Sequence, residues 1–152
     1  MLLDKEKIDS ALSEFRDVGI DERSRNDIIV SLTSFPDRMD TLHFGLFSLL
    51  RQSLKPSRSI LCLAREQFPN GEKDIPEAIL SLVENGLEIH WTNDTGPYKK
   101  LVPALTNYPG KMIVTADDDI YYMRNWLELL YSDYLKNGQR KMLHAHRVHR
   151  IL

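Results

Sequence analysis

Short apolar runs alternate with polar punctuation along this chain, and the spacing inside each run predicts an element. Residues 4–17 carry apolar side chains at Ile8, Leu12 and Phe15 with charges between them, a helical spacing. Residues 19–27 are polar and read as a connector. From there the pattern becomes regular. Asp27 to Leu32 is a β-branched run of buried-strand type, ended by the loop Thr33–Arg38 with its Pro36-Asp37 turn. Leu42, Leu46, Leu49 and Leu50 mark one face of a helix, and Ser59 to Ala64 is a second buried strand. Pro76 in a first helical turn and Gly86 at a C-cap bracket a helix carrying Ile79, Leu80 and Val83.

Leu87 to Trp91 predicts a third strand, followed by a polar loop and a short helix near Lys100–Asn107. Lys111 to Ala116 is the fourth strand and runs into Asp117-Asp118-Asp119. Tyr122 to Leu135 is helical, stopped by Asn137-Gly138, and Met142 to Val148 alternates like a final strand. Regular alternation of strand and helix predicts an α/β fold, a mostly parallel Rossmann-like sheet with helices on both faces. One domain is expected over residues 1–152, with 1–26 forming an N-terminal helix and connector.

Composition narrows the partners. At 152 residues and 42% hydrophobic, the chain can bury a real core. A formal net charge of −2 gives no single-sign field for nucleic acid or an acidic membrane surface. The lone Cys62 excludes an internal disulfide, suits a reducing compartment, and sits in the apolar run Ile60–Leu63 as a buried structural thiol. No stretch approaches the roughly 18 apolar residues of a membrane span. Residues 1–7 become charged too early for a signal peptide. A cytoplasmic protein with no transmembrane segment is expected.

The chemistry is predicted at the strand ends, because ligands of open α/β sheets bind beyond the carboxyl ends of the strands. Three polar clusters fall there: Thr33–Arg38, Asn93–Lys100 and Asp117–Asp119. The acidic triplet is the sharpest. Three adjacent carboxylates repel one another, and a hard divalent cation such as Mg²⁺ or Mn²⁺ relieves that repulsion while keeping sites open for water and phosphate. Strand alternation would place Asp117 and Asp119 on one side and Asp118 on the other. Alone, such a triplet is better explained by a solvated turn capping the next helix, and its placement after Met112–Ala116 at a strand end reverses that preference. In the second cluster, Gly96 lets the backbone approach a ligand and Lys100 supplies a point charge for phosphate. Its ordinary explanation is a helix-entry loop, and that of the first cluster is a proline turn.

Three segments in order, "IIVSLTSFPDR" at 28–38, "NDTGPYKKLVPAL" at 93–105 and "MIVTADDDIYY" at 112–122, resemble the donor half of bacterial GT-A glycosyltransferases. The group most resembled is a family-2-like set of surface-polysaccharide enzymes, over residues 27–122 with a weaker echo in "HRVHRI" at 146–151. The resemblance implies a metal-dependent transferase that moves sugar from a nucleotide-diphospho-sugar donor to a saccharide acceptor. It implies Asp119 as the metal ligand, with Asp117 on the donor's ribose or on a metal-bound water and Asp118 beside them in the donor site. Thr33, Ser34 and Arg38 would line the nucleotide pocket. Asp94 and Lys100 would contact the base, ribose or phosphate side, with Gly96 shaping the loop.

The same resemblance implies that the acceptor-binding part of the family lies outside this chain, to be supplied by a partner chain or a homo-oligomer. No catalytic base is assigned, since Glu128 and Asp133 both fall on a helix of structural type. His144, His146 and His149 read as structural or solvent-facing, with His149 the one inside the echo. Trp91 and Trp126 read as core. Two other functions compete. One is a non-catalytic module that binds nucleotide or assembles with partners. The other is a phosphatase of the haloacid dehalogenase type, whose D-x-D motif the triplet imitates, although that motif belongs on a first strand rather than a fourth.

Overall fold

A computed structural model describes residues 4–137. The chain is α/β. Four strands, β1 (Ile28–Thr33), β2 (Arg58–Ala64), β3 (Leu87–Thr92) and β4 (Met112–Thr115), form an all-parallel sheet in the order β3-β2-β1-β4. The helices are α1 (Lys5–Ser13), α2 (Met39–Leu50), α3 (Glu77–Leu80), α4 (Val102–Asn107) and α5 (Trp126–Lys136).

Helices flank both faces of the sheet, and the side chains of β1 show how the two faces differ. Ile28, Val30 and Leu32 pack into the larger core with Leu42, Leu46 and Leu49 of α2, Ile79 of α3 and Leu127 of α5. Ile29 points the other way, into a smaller cluster with Ile60, Cys62 and Ala104 of α4. The handedness of parallel crossovers explains the division. From β1 through β2 to β3 the chain steps outward in one direction, so α2 and α3 share a face. From β3 it returns across the sheet to β4, and α4 covers the opposite face. Cys62 is fully buried there, and burial pushes its thiol above the ordinary range, as expected of a structural cysteine.

Three expectations need correction. The helix after Pro76 lasts only to Leu80 and then tightens into a 3-10 turn over Ser81–Asn85. With three residues per turn, Leu82 follows Ile79 into the core, while Val83 is 47% exposed. Gly86 does end the turn, in the left-handed conformation (φ 98°) that favours glycine. The segment near Lys100 is likewise a 3-10 turn over Gly96–Lys100 before α4 begins at Val102. Finally, α5 starts at Trp126 rather than Tyr122, because Ser48 of α2 and Gln52 just past its end hold the backbone of Tyr122 and Met123. Trp91 and Trp126 pack against the large core, in agreement with a structural role for both. The strand expected at 142–148 and His144, His146 and His149 lie outside the described residues.

Among the described residues no helix is long and apolar enough to cross a membrane.

A candidate ligand site at the crossover between the first and fourth strands

The order in which strands are added to the sheet reverses between β1 and β4, which lie side by side and parallel with Ser31 opposite Thr115. The carboxyl ends of these two neighbouring strands are where ligands of open α/β sheets commonly bind, and the chain leaving each of them packs on the same face, α2 and α5 sharing the larger core. The Ala116 N–H donates to the Ser31 carbonyl at 2.9 Å and extends the pairing by one residue. Beyond it, the Thr33–Arg38 loop and the acidic triplet face each other.

The three carboxylates are held by three different partners. Ser34, 2% exposed, donates its hydroxyl to Asp118 Oδ2 at 2.7 Å. The Arg38 guanidinium lies 3.5 Å from Asp119 Oδ2. Lys100 donates to Asp117 Oδ1 and reaches the Ala116 carbonyl at 3.4 Å. Each predicted cluster therefore contributes to one surface. The strand-alternation argument for the triplet does not apply, since β4 ends at Thr115 and the carboxylates are sorted by their partners instead. Asp117 and Asp119 keep side-chain exposures of 56% and 51%, so about half of each carboxylate still faces solvent and can accept further ligands.

Thr33, Asp94 and Gly96 are placed differently. Thr33 Oγ1 donates to the Cys62 carbonyl at 2.7 Å and ties the end of β1 to β2. Asp94 organises its own loop. Its Oδ1 accepts from the Gly96 N–H at 3.0 Å and lies 3.3 Å from the Lys99 ammonium, and its Oδ2 accepts from Gln67 at 2.9 Å. Lys99, only 4% exposed, closes the ring by donating to Gln67 Oε1 at 3.0 Å. The Gly96 N–H and the Lys99 ammonium hold the Asp94 carboxyl below its usual range. Gly96 itself has φ 59°, a conformation that side chains disfavour, with open space where a Cβ would stand.

Sequence reasoning missed the residues that position the triplet from below. Gly45 of α2 lies under it: a Cβ there would come within 3.2 Å of the Ile120 carbonyl and 3.5 Å of the Asp118 carbonyl. Ser48 Oγ donates to the Gly45 carbonyl at 2.7 Å and accepts from the Tyr122 N–H at 2.9 Å. Gln52 donates to the Ser48 and Met123 carbonyls and accepts from the Leu127 N–H. The Ser53 N–H donates to the Arg124 carbonyl at 2.7 Å. Tyr122 folds back so that its phenol oxygen accepts from the Asp117 N–H at 2.7 Å. Burial raises this phenol to about 12, keeping it neutral at ordinary pH. The available signal was a glycine and a serine on the apolar face of a leucine-rich helix, with a glutamine just past its end, a pattern that announces a buried polar contact but not its partner.

The exposed donor set at the triplet is hard carboxylate oxygen, which suits Mg²⁺ or Mn²⁺. Among the described residues no group of three or more His, Cys, Asp or Glu converges into a preformed cage. A cation held by one or two of these carboxylates would therefore complete its shell with water and ligand phosphate, the usual manner for Mg²⁺. Two hollows elsewhere compete for attention. One lies between α1 and residues 81–85 (Leu12, Arg16 and Asn85 among its walls), the other along the outer edge of β3 near Glu88 and His90. Neither gathers the predicted clusters, so the strand-end surface is the better candidate. No protein-family model matches this chain, and no curated protein matches it either.

Proposed function

We propose that this chain carries the donor-binding half of a metal-dependent glycosyltransferase, binding a nucleotide-diphospho-sugar between β1 and β4 for transfer to a saccharide acceptor. The observation that carries the reading is the meeting of three separate strand-end clusters, with Ser34 on Asp118, Arg38 beside Asp119 and Lys100 on Asp117. A nucleoside diphosphate needs a cation, positive side chains and polar backbone within one span, and this surface brings those chemistries together. A bound Mg²⁺ or Mn²⁺, held by Asp119 and Asp117, would offset charge on the leaving diphosphate. The chain's own groups bind and orient. Thr33 and Ser34 would floor the nucleotide pocket, and Arg38 and Lys100 would meet phosphate. Asp94 and Gly96 shape the loop that delivers Lys100.

Donor binding is separable from turnover. Glu128 accepts from Ser53 Oγ at 2.7 Å, which assigns it to anchoring α5 against the end of α2 rather than to acting as a base. A non-catalytic nucleotide-binding module is accordingly the second reading. The phosphatase alternative loses ground, because the first strand ends in Thr33 and Ser34 with no carboxylate.

Calorimetric titration with uridine and guanosine diphosphates, with and without Mn²⁺, tests the site. Metal-dependent binding of one nucleotide is expected. Equal affinity in the presence and absence of metal, or none in either, would overturn the donor-site reading. Incubation with nucleotide-sugars and measurement of released diphosphate then separates a transferase from a binding module.

A further inference from the structure

The sheet is open along the outer side of β3. That strand is outermost in the order β3-β2-β1-β4, and among the described residues its backbone pairs with β2 alone. Edge strands are ordinarily kept from pairing further by shortness, by lysine or proline, or by a bulge. β3 has none of these: Leu87–Thr92 is six residues long, lacks lysine and proline, and matches β2 one-for-one. Beside it runs a hollow of about 680 Å³, and four consecutive strand residues, Leu87 to His90, line it. Successive strand side chains point to opposite faces, so a hollow touching all four lies against the strand's backbone edge. Leu80 and the half-exposed Val83 wall its other side, together with Glu72 and Glu77.

The charges select what fits there. Both Glu88 oxygens are taken, one by Arg58 at 2.6 Å and the other by His90 at 3.0 Å. Glu72 and Glu77 are exposed, and neither carboxylate has a hydrogen-bond or ion-pair partner among the described residues. A second copy of this chain pairing through its own β3 would bring two more such carboxylates to the seam, and like charges oppose that. A nucleic acid or an acidic segment meets the same repulsion. We propose that the outer edge of β3 is a docking strand for an extended peptide segment alternating apolar and basic residues, which adds a fifth strand to the sheet. Its backbone pairs with β3, its apolar side chains pack on Leu80 and Val83, and its lysines or arginines meet Glu72 and Glu77. This surface is separate from the donor site and does not depend on that reading.

Fluorescence anisotropy of the full chain with a short labelled peptide alternating valine and lysine tests this. Saturable binding is expected, and a peptide alternating valine and glutamate should not bind. The double variant Glu72→Lys/Glu77→Lys changes two exposed side chains, so its urea midpoint should stay at the wild-type value. It should bind the lysine peptide roughly tenfold more weakly, the scale of two exposed ion pairs turned repulsive. A fully N-methylated lysine peptide should not bind, because it lacks the amide hydrogens that strand pairing requires. That control separates strand addition from charge attraction alone. Absence of binding by wild type, or binding unchanged by either the double variant or N-methylation, would overturn the proposal. So would sedimentation showing wild type to be a dimer that Val83→Asp makes monomeric, since the edge would then belong to a second copy.

Discussion

Lys99 and Lys100 are neighbours in one turn, and each pairs with an aspartate, yet they serve opposite ends. Lys99 is 4% exposed and closes a ring with Asp94 of its own loop and Gln67 of the turn after β2. Lys100 leaves that turn and crosses to Asp117 on the loop after β4. In the first pair the ammonium is buried, while the carboxylate is exposed but occupied on both oxygens. The second spans two elements and leaves the carboxylate half exposed. Neighbouring lysines at a strand end are thus buried or left partly exposed according to their partners, which composition alone does not reveal.

That contrast can be broken by substitution. Lys99→Ala should cost the most stability, on the order of 2 kcal/mol in a urea titration, because it removes a buried ammonium and leaves a cavity under the loop. An effect as small as that of an exposed lysine would remove the distinction. Ser34→Ala comes next, at about 1 kcal/mol, since a buried hydroxyl donating to a carboxylate is lost. Unlike the Lys99 change, it should also weaken any ligand at the triplet, by freeing Asp118. Lys100→Met should fall below about 1 kcal/mol, as partly exposed ion pairs do. Its signature belongs in ligand affinity, and a urea midpoint as low as that of Lys99→Ala would contradict the assignment.

At neutral pH the smallest effect concerns Tyr122. Its phenol is raised from an ordinary 10.0 to about 12 in the folded chain. The folded state therefore resists ionisation that the unfolded state accepts, so the contribution is fully present below pH 10 and is lost as pH rises toward 12. Tyr122→Phe should start slightly less stable at neutral pH, its Asp117 N–H having lost an acceptor, and should fall less between pH 10 and 12. Parallel curves for the two proteins would show that the phenol is not buried as described.

Much of this architecture was legible because it follows local rules. The β-branched run at 28–32 and the apolar run at 59–64 could be little else than central strands, and both are buried along nearly their whole length. Gly86 marked its turn because few other residues accept its conformation. Where the reading slipped, a tertiary contact had overruled the local pattern. The start of α5 was placed four residues early because Tyr122 and Met123 look helical. Ser48 and Gln52, more than 70 residues away in the chain, claim their backbone instead. Leu82 displaced Val83 from the core because a 3-10 turn replaced the α-helical one.

The site divides in the same way. Its three clusters were visible because strand ends are where open sheets bind ligands. Which side chain meets which carboxylate was not, because Ser34 and Asp118 are 84 residues apart and meet only once β4 is laid beside β1. Asp94 adds contacts that the sequence did not announce: with Gly96 and Lys99 of its own loop and with Gln67, 27 residues away.

The central claim is that the triplet forms one metal-dependent site for a nucleoside diphosphate, and Asp119→Ala tests it most directly. Asp119 is half exposed and pairs only loosely with Arg38, so the variant should keep the wild-type urea midpoint to within about 1 kcal/mol. Titrated with uridine and guanosine diphosphates in the presence of Mn²⁺, wild type should bind one of them and the folded variant neither. Equal binding by both proteins would contradict the claim.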